Sequence, residues 1–249
     1  MISFFRKLRQ KLLEENRVTR YLIYALGEIL LVVIGILIAL WVNNQNELAQ
    51  KAEREQVILT SLKEEFQENL NELDRDLQNL NATSSALETL LDWTNEPPED
   101  LTEEQFENLL SKSFSSPDWT PSTFILEELK NSGGLSQLSD PELRAILFEW
   151  QRIYEDLSEV ERDYNRYSNQ YIDFLSMNGS VRNLDAINEA ANSDVDLGLS
   201  PSTIASNSPS LLKSPEFENR VDNFYFLAAR LQVQYERIRV QIQAIIDYS

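Results

Sequence analysis

Cysteine and histidine are both absent from the 249 residues, and the chain has only six glycines. Without cysteine there is no disulfide, no thiolate nucleophile and no zinc–thiolate site. Without histidine the commonest general base and the commonest transition-metal ligand are both missing. No glycine-rich phosphate loop is present. Carboxylates, lysine and tyrosine remain available for chemistry, but the composition predicts a protein that is not an enzyme and holds no cofactor or metal.

Basic residues are scarce, with 22 Lys and Arg against 41 Asp and Glu and a formal net charge of −19. Six of the 22 basic residues lie within the first 20 positions, whereas the remainder of the chain is strongly acidic. An acidic surface is repelled by nucleic acid and by anionic lipid. We therefore predict no nucleic-acid partner.

One stretch is almost free of charge, because residues 21–42 contain a single ionisable carboxylate, Glu28. A helix of that length reaches about 33 Å, and the hydrocarbon core of a bilayer is about 30 Å thick. The run is longer than the apolar part of a signal peptide, and no small-residue cleavage site follows it. The stretch is predicted to be an uncleaved transmembrane helix with Trp41 at the membrane interface.

The placement of basic residues predicts the topology. Because six basic residues precede the apolar stretch and only Lys51 and Arg54 occur in the 20 residues after it, the positive-inside rule places the N-terminus in the cytoplasm and residues 43–249 outside it. Residues 1–20 form a basic amphipathic pattern, which favours a helix lying on the membrane lipid; a disordered flank that only fixes topology is the alternative.

Four residues share one face of the predicted membrane helix: Glu28, Val32, Gly35 and Ala39. The Gly35-x-x-x-Ala39 spacing permits close contact between helices, and Glu28 would add one polar hydrogen-bonding group. The alternative is a proton-linked carboxylate, as in the single-pass subunits of ion-driven membrane motors.

The acidic remainder is predicted to be an all-α, elongated, antiparallel helical bundle. The membrane helix continues to about Asn95 on a coiled-coil-like leucine seam and ends at Pro97-Pro98. Two short helices follow, near 102–113 and 122–132, and are expected at the membrane-distal end. Long helices then start at Ser139, with Glu142 as its capping-box partner, and at Ser214. The inner stripe of the last helix comprises Phe217, Val221, Phe224, Ala228, Leu231, Tyr235, Ile238, Ile242 and Ile245.

Two further patterns admit more than one interpretation. Tyr164, Tyr167 and Tyr171 in the long helix are core residues or, alternatively, a ligand-binding face. Residues 178–213 are predicted to be a long loop with one short helix near 185–192. Asn192 and the two acidic residues after it resemble the start of a calcium loop, but Leu197 stands where glycine is required, so no calcium site is predicted.

Two motifs resemble a known but uncharacterised family: GEILLVVIGILIALWVNNQNE and ELKNSGGLSQLSDPELR. The chain is similar, over almost its whole length, to single-pass inner-membrane proteins of unknown function from flavobacterial-type Gram-negative bacteria. The resemblance implies a periplasmic helical domain and brings no catalytic residues. Within the second motif we expect a structural polar pair between Glu128 and Arg144.

Three functions are compatible with these features. The first is a membrane-anchored interaction or scaffold protein that is a homo-oligomer or binds another membrane or periplasmic protein. The second is a ligand-sensing ectodomain, which would need a partner to carry its signal. The third is an energy-coupled membrane subunit that uses Glu28. We favour the first, since an apolar anchor, a helical bundle and the missing chemistry all agree with it.

Overall fold

The computed structural model describes residues 17–114, 117, 119–191, 198 and 200–249, and these residues form helices and connecting segments with no β-strand. Most of the first 20 residues therefore lie outside the described part, and the prediction for that segment stays a prediction. The helices are α1 (Arg17–Asn95), α2 (Glu103–Lys112), α3 (Phe124–Ser132), α4 (Pro141–Asn178), α5 (Val181–Ala191) and α6 (Pro215–Tyr248). Short 3-10 turns occupy Gly134–Gln137 and Pro209–Lys213.

The chain divides into two compact units, Met1–Ile58 and Leu59–Ser249. In the first unit the described residues belong to α1, and the side chains from residue 21 onwards are almost all exposed. The second unit, called the helical body below, contains the remainder of α1 and all the other helices.

The prediction of one uninterrupted helix up to Asn95 is confirmed. Neither glycine nor proline occurs between Asn43 and Asn95, and the last turn ends just before Pro97-Pro98, where a helix cannot continue. From Leu62 to Leu87 the leucine seam is buried, with Leu62, Phe66, Leu73, Leu80 and Leu87 completely inaccessible to solvent. The seam is continuous at Ser84, which is itself buried.

Helix α6 runs antiparallel to α1. Near the start of the body the Lys63 ammonium donates to the carbonyl of Ile246 at 3.0 Å, and further along Gln232 donates to Asn81 at 2.6 Å. As the residue number increases along α1, the number of its partner on α6 decreases, so the two helices run in opposite directions. The predicted inner stripe of α6 is confirmed, because all nine of its members are fully buried.

Helix α6 is also antiparallel to α4. Arg220 donates to Gln170 at 2.9 Å, and Gln241 donates to the carbonyl of Ile146 at 2.8 Å. Since α6 opposes both of the other long helices, α1 and α4 run in the same direction. The chain has to return from the end of α1 to the start of α4, and the segment that contains α2 and α3 makes this return.

The two short helices lie at opposite ends of the body, so the prediction that both lie at one end is wrong. Helix α2 packs beside the start of α6, with the rings of Phe106 and Phe217 6.2 Å apart. Helix α3 instead begins beside Glu65, whose carboxylate accepts a hydrogen bond from the Ile125 amide at 3.2 Å. A carboxylate at a helix N-terminus accepts hydrogen bonds from the free amides and interacts favourably with the positive end of the helix dipole. Both interactions hold α3 in place.

The local stop and start signals are largely confirmed. Thr102 and Gln105 form the predicted capping box of α2, and Gly133 ends α3 in the left-handed conformation at φ 72°. The prediction for α4 is wrong by one residue. Asp140, rather than Ser139, is the N-cap, and its carboxylate accepts from the amides of Glu142 and Leu143.

Residues 178–191 and 200–213 form more regular structure than predicted. Helix α5 begins at Val181, earlier than expected, and a cluster of buried polar side chains binds the returning chain. The Glu107 carboxylate accepts from the Asn183 and Asn207 side chains at 2.8 and 3.0 Å, and Asn207 accepts from the Ser180 amide at 2.8 Å. These polar contacts replace the apolar contacts whose absence led to the prediction of a loop.

Candidate functional site

The apolar part of α1 is exposed on all sides. Over residues 21–42 every side chain except that of Ile23 is classed as exposed, and none is buried. The helix is long and apolar enough to cross a membrane, with a mean hydropathy of 2.7 over its most apolar window, none of which is buried inside the chain. A core helix of a soluble protein buries such a surface, so the fold leaves these side chains without a protein environment.

The predicted membrane-helix face is regular in the structure. Glu28, Val32, Gly35 and Ala39 lie on a continuous α-helix at steps of four, three and four residues, so they share one side. A methyl group added at Gly35 would meet no atom of the chain within 4 Å. The face is therefore open to lipid or to another helix. Whether it binds either stays a prediction.

The helical body has two surface cavities. The first, of about 450 Å³, is lined by Glu72, Arg75, Asp76, Asn79, Trp119 and Thr120. The second, of about 580 Å³, is lined by Tyr154, Glu155, Ser158, Glu159, Glu161, Arg162 and Asn165. Trp119 of the first and Tyr154 of the second have ring centroids only 6.3 Å apart. We call the two cavities together the acidic groove.

Trp119 is held in the wall of the first cavity. Its indole N–H donates to the carbonyl of Asn69 at 3.0 Å, and it is only 5% exposed. The Asn69 side chain makes two more hydrogen bonds, both 2.8 Å, to the backbone of Ser122. Trp119 and Ser122 are thereby attached to α1 by three hydrogen bonds, one from Trp119 and two at Ser122.

The other wall of the groove is also aromatic. Tyr154 stacks on Trp150 with centroids 6.1 Å apart and the two ring planes nearly parallel. Trp150 in turn makes an edge contact with Phe66 of α1, at 5.0 Å. These contacts hold the Tyr154 ring in one orientation, because each neighbouring ring is itself buried.

Carboxylates lie beside these rings. The Tyr235 hydroxyl donates to Glu161 at 3.1 Å. Burial, with the negative charges of Glu161 and Asp76, raises the pKa of Tyr235, and burial with the charge of Glu161 raises the pKa of Tyr154. Both phenols stay protonated at neutral pH and can present a neutral ring or hydroxyl next to the carboxylates.

The tyrosine series of α4 separates into different environments. Tyr164 and Tyr171 are fully buried among aromatic neighbours, and the Tyr171 hydroxyl lies 3.0 Å from Ser113. Tyr167 is half-buried, with the Arg166 guanidinium 5.3 Å from its ring. The interpretation as core holds for two of the three residues, and they do not face one common opening.

Two further predictions concern the Glu128–Arg144 pair and the calcium-like pattern. Arg144 donates to the backbone carbonyl of Leu138, and the ion pairs of the described residues do not include one between Arg144 and Glu128. The expected polar pair is therefore wrong. The calcium-like pattern at 192–197 lies outside the described residues, so the predicted absence of a calcium site stays a prediction.

Comparison with known families assigns the chain. A family described as a family of unknown function, DUF6090, matches residues 28–171, which is more than half of the sequence. The chain belongs to this family. The DUF6090 match begins at Glu28 inside the apolar stretch and ends at Tyr171 in α4, so it includes every residue that lines the acidic groove. No curated protein and no solved structure gives a significant match.

No local pattern in the sequence predicts the acidic groove. In the sequence Tyr154 follows the apolar spacing of α4, and Trp119 lies in a connecting segment between Pro117 and Pro121. The one local indication is a tryptophan between Pro117 and Pro121, because a large aromatic side chain in a short connecting segment is usually buried against neighbouring elements. Its position beside Tyr154 depends on long-range contacts that periodicity cannot show.

Proposed function

We propose that the protein is a membrane-anchored interaction protein whose acidic helical body binds another protein or a second copy of the chain. One observation carries the proposal: residues 21–42 form a helix that is apolar on all sides and exposed throughout. A lipid bilayer satisfies such a surface, and the same chain supplies a well-packed body.

The proposed location is a bacterial inner membrane. The basic N-terminal segment lies in the cytoplasm, residues 21–42 cross the membrane, and residues 43–249 form an acidic periplasmic domain. The charge asymmetry of the sequence supports this orientation, since basic residues precede the apolar stretch and acidic ones dominate after it.

Interaction is preferred over the two alternatives. A sensing domain would require a pocket lined by the tyrosines of α4. Tyr164 and Tyr171 instead pack inside the body. An energy-coupled subunit rests on Glu28 alone. The helical body, in contrast, presents a long acidic surface with a defined groove, as expected for a docking module.

Two measurements test the proposal on the full-length chain. Protease added outside the cytoplasmic membrane should digest the helical body, while protease in the cytosol should leave it intact. Extraction in mild detergent, followed by mass measurement of the native complex, should give a species heavier than one 28.8 kDa chain plus detergent. A freely soluble protein, or a monomer without partners in the membrane, would contradict the proposal.

A further inference from the structure

We propose that the outward side of α6 is a contact surface between two copies of this chain, with the two α6 helices packed in parallel. The surface is an apolar row formed by Phe226, Val233 and Val240, called the outer stripe below. This inference deepens the proposed interaction function and rests on it, because it assigns both the partner and the surface through which the helical body binds.

The outer stripe is a second apolar row on a helix whose first row is already buried in the body. Phe226, Val233 and Val240 are 64%, 67% and 68% exposed, and they recur at steps of seven residues. Seven residues are nearly two helical turns, so the three side chains lie within about 40° of one another around the helix. The same spacing reaches polar residues at Asn219 and Asp247, where the row ends.

Exposed apolar residues elsewhere on the body form no such row. Four other large apolar side chains of the described body are more than half exposed, and they are scattered over α3, α4 and the segment before α6: Phe124, Phe148, Met177 and Ile204. Single exposed apolar residues are ordinary on a protein surface. A row at heptad spacing is instead typical of a helix that packs against another helix, and valine at such positions favours a pair of helices.

The charge of α6 favours a second copy as the partner. Two copies of so acidic a chain repel each other through most of their surfaces. Helix α6 carries five acidic and four basic side chains, whereas α4 carries eight acidic and four basic ones, and α1 between residues 59 and 95 carries eight and two. Among the three long helices of the body, α6 therefore allows two copies to approach with the least repulsion.

The two edges of the outer stripe carry opposite charges. On one edge Arg230 and Arg237 face α4, where their ion pairs with aspartates measure 3.8 and 3.9 Å. At 100° per residue Glu236 falls on the opposite edge, on the side of α6 from which Arg239 reaches Asp74 of α1. The two arginines are about half exposed, so each has donors left for another carboxylate.

These edges determine the orientation of the pair. When a two-fold axis relates two parallel helices, each edge of one helix meets the opposite edge of the other. Glu236 of each copy then lies level with Arg237 of the other copy, and the ion pair occurs twice. In an antiparallel pair each edge meets itself, so arginines would face arginines. Charge complementarity therefore favours the parallel pair.

The size of the outer stripe suits association within a membrane. A stable complex in solution buries about 800 Å² on each partner, and three side chains supply only part of that area. Two copies anchored in one bilayer are held at a high local concentration, which reduces the contact area that pairing requires.

The test is disulfide crosslinking of the full-length chain in membranes, where the absence of native cysteine leaves only the introduced thiols to react. Val233→Cys should form a disulfide-linked dimer under mild oxidation, because residues that face a two-fold axis come within disulfide distance. Asn169→Cys, at an exposed position of α4, should give about fivefold less dimer at equal expression. Equal yields would overturn the proposal, since both crosslinks would then report random collision.

Two further cysteines test the parallel orientation. Phe226→Cys and Val240→Cys each face the same residue of the other copy in a parallel pair, so both should crosslink like Val233→Cys. In an antiparallel pair centred on Val233, each would lie about 21 Å along the helix from its counterpart. A dimer from Val233→Cys alone would therefore overturn the parallel pair.

The apolar contact has a matched control. In the Val233→Cys background, Phe226→Gln should lower the dimer yield about threefold, because it replaces the largest side chain of the outer stripe. Phe148→Gln on α4 changes a phenylalanine that is equally exposed, at 64%, and should leave the yield unchanged. Equal yields from these two variants would show that the outer stripe is not the contact.

Charge reversal tests the identity of the partner. In the same background, Glu236→Arg alone should lower the dimer yield about threefold, because arginine then meets arginine across the pair. Adding Arg237→Glu restores opposite charges and the original net charge, so the yield should recover. No recovery in the double variant would show that the two edges do not meet in a second copy.

The outcome is separable from that of the proposed function. If native complexes form in membranes while Val233→Cys crosslinks no better than Asn169→Cys, the protein binds through another surface and only the outer-stripe proposal fails. If the chain is freely soluble and Val233→Cys still forms the dimer, the outer stripe is a contact between copies and the membrane-anchored function fails.

Discussion

Helix α1 places two kinds of apolar sequence on one continuous backbone. Residues 21–42 are apolar at nearly every position, and their side chains are exposed around the whole helix. From Leu62 to Leu87 the apolar residues recur at steps of three and four, and that one side is buried against other helices. The same backbone conformation therefore serves two environments, and the pattern of side chains determines which one.

The difference shows what each stretch requires. A one-sided stripe needs neighbouring helices, which α4 and α6 supply. A helix that is apolar on all sides requires an apolar environment around its whole circumference, and a lipid bilayer provides one. Substitutions in the two stretches should consequently affect different measurements, membrane association in the first and unfolding of the body in the second.

The largest expected effect comes from charges in the apolar stretch. Leu31→Lys combined with Ile34→Lys should release the protein from membranes, because each lysine near the centre of a membrane helix costs about 3 kcal/mol. Carbonate extraction and sedimentation measure the fraction retained. Gln67→Lys with Asn71→Lys, at exposed positions of the body, should leave retention unchanged. Full retention of the first variant would contradict the membrane assignment.

The next prediction compares a leucine-to-alanine substitution in each of the two stretches. Leu73 is 0% exposed whereas Leu37 is 59% exposed, on the same helix. Leu73→Ala should lower the free energy of unfolding of the body by about 3 kcal/mol, because it leaves a cavity in the core. Leu37→Ala should leave that free energy unchanged. Thermal unfolding followed by circular dichroism in detergent measures both, and equal shifts would contradict the distinction between the stretches.

Glycines provide a third, smaller contrast. A methyl group at Gly179 would lie 2.1 Å from Oδ1 of Asn207, whereas one at Gly35 would meet nothing within 4 Å. Gly179→Ala should displace the buried Asn207 side chain and destabilise the body by about 1–3 kcal/mol. Gly35→Ala should leave unfolding of the body unaffected. If Gly179→Ala unfolds like the wild type, the Asn207 hydrogen bonds contribute nothing to stability.

Alkaline pH should weaken the body progressively. Burial raises the pKa of Tyr171 and Tyr235 above the ordinary value of 10.0. Unfolded tyrosines ionise near pH 10, so above that pH the native state binds more protons than the unfolded state, and stability falls as pH rises. Each residue should contribute a loss of about 1.4 kcal/mol per pH unit. Below pH 9 the stability should not depend on these groups.

A substitution separates this effect from general alkaline damage. Tyr171→Phe keeps the ring contacts and removes one titrating phenol, so its stability should fall less steeply above pH 10 than that of the wild type. At neutral pH it should lose about 1 kcal/mol, for the hydrogen bond with Ser113. Denaturant unfolding at a series of pH values measures both. Parallel curves for the two proteins would contradict the assignment.

Much of the helical body could be predicted because its information is local. The inner stripe of α6, the capping box at Thr102 and the stop at Gly133 each depend on residues within a few positions of one another. Near the start of α4 two capping residues compete, and Asp140 accepts the hydrogen bonds assigned to Ser139, because both precede the helix and only the backbone conformation decides.

The candidate site could not be predicted in the same way. The acidic groove depends on Trp119 meeting Asn69 and Tyr154, which are distant in sequence. The position of α3 depends likewise on Glu65 reaching the Ile125 amide. Neither contact leaves a periodic pattern in the sequence. By contrast, spacing alone places Glu28, Gly35 and Ala39 on one side of α1, and a role for that side within a membrane stays a prediction.

The smallest expected effect is at Glu28, and it distinguishes two interpretations of the apolar helix. If Glu28 only supplies a hydrogen bond between helices, Glu28→Gln keeps that bond and Glu28→Leu removes it. Crosslinking in membranes should then give the same oligomers for Glu28→Gln as for the wild type, and fewer for Glu28→Leu. Val32→Leu, on the same face, controls for added bulk. If Glu28→Gln abolishes the oligomers as completely as Glu28→Leu does, the complex requires the carboxylate itself. This result would favour the energy-coupled subunit over the interaction protein, because of these side chains only a carboxylate can take up and release a proton.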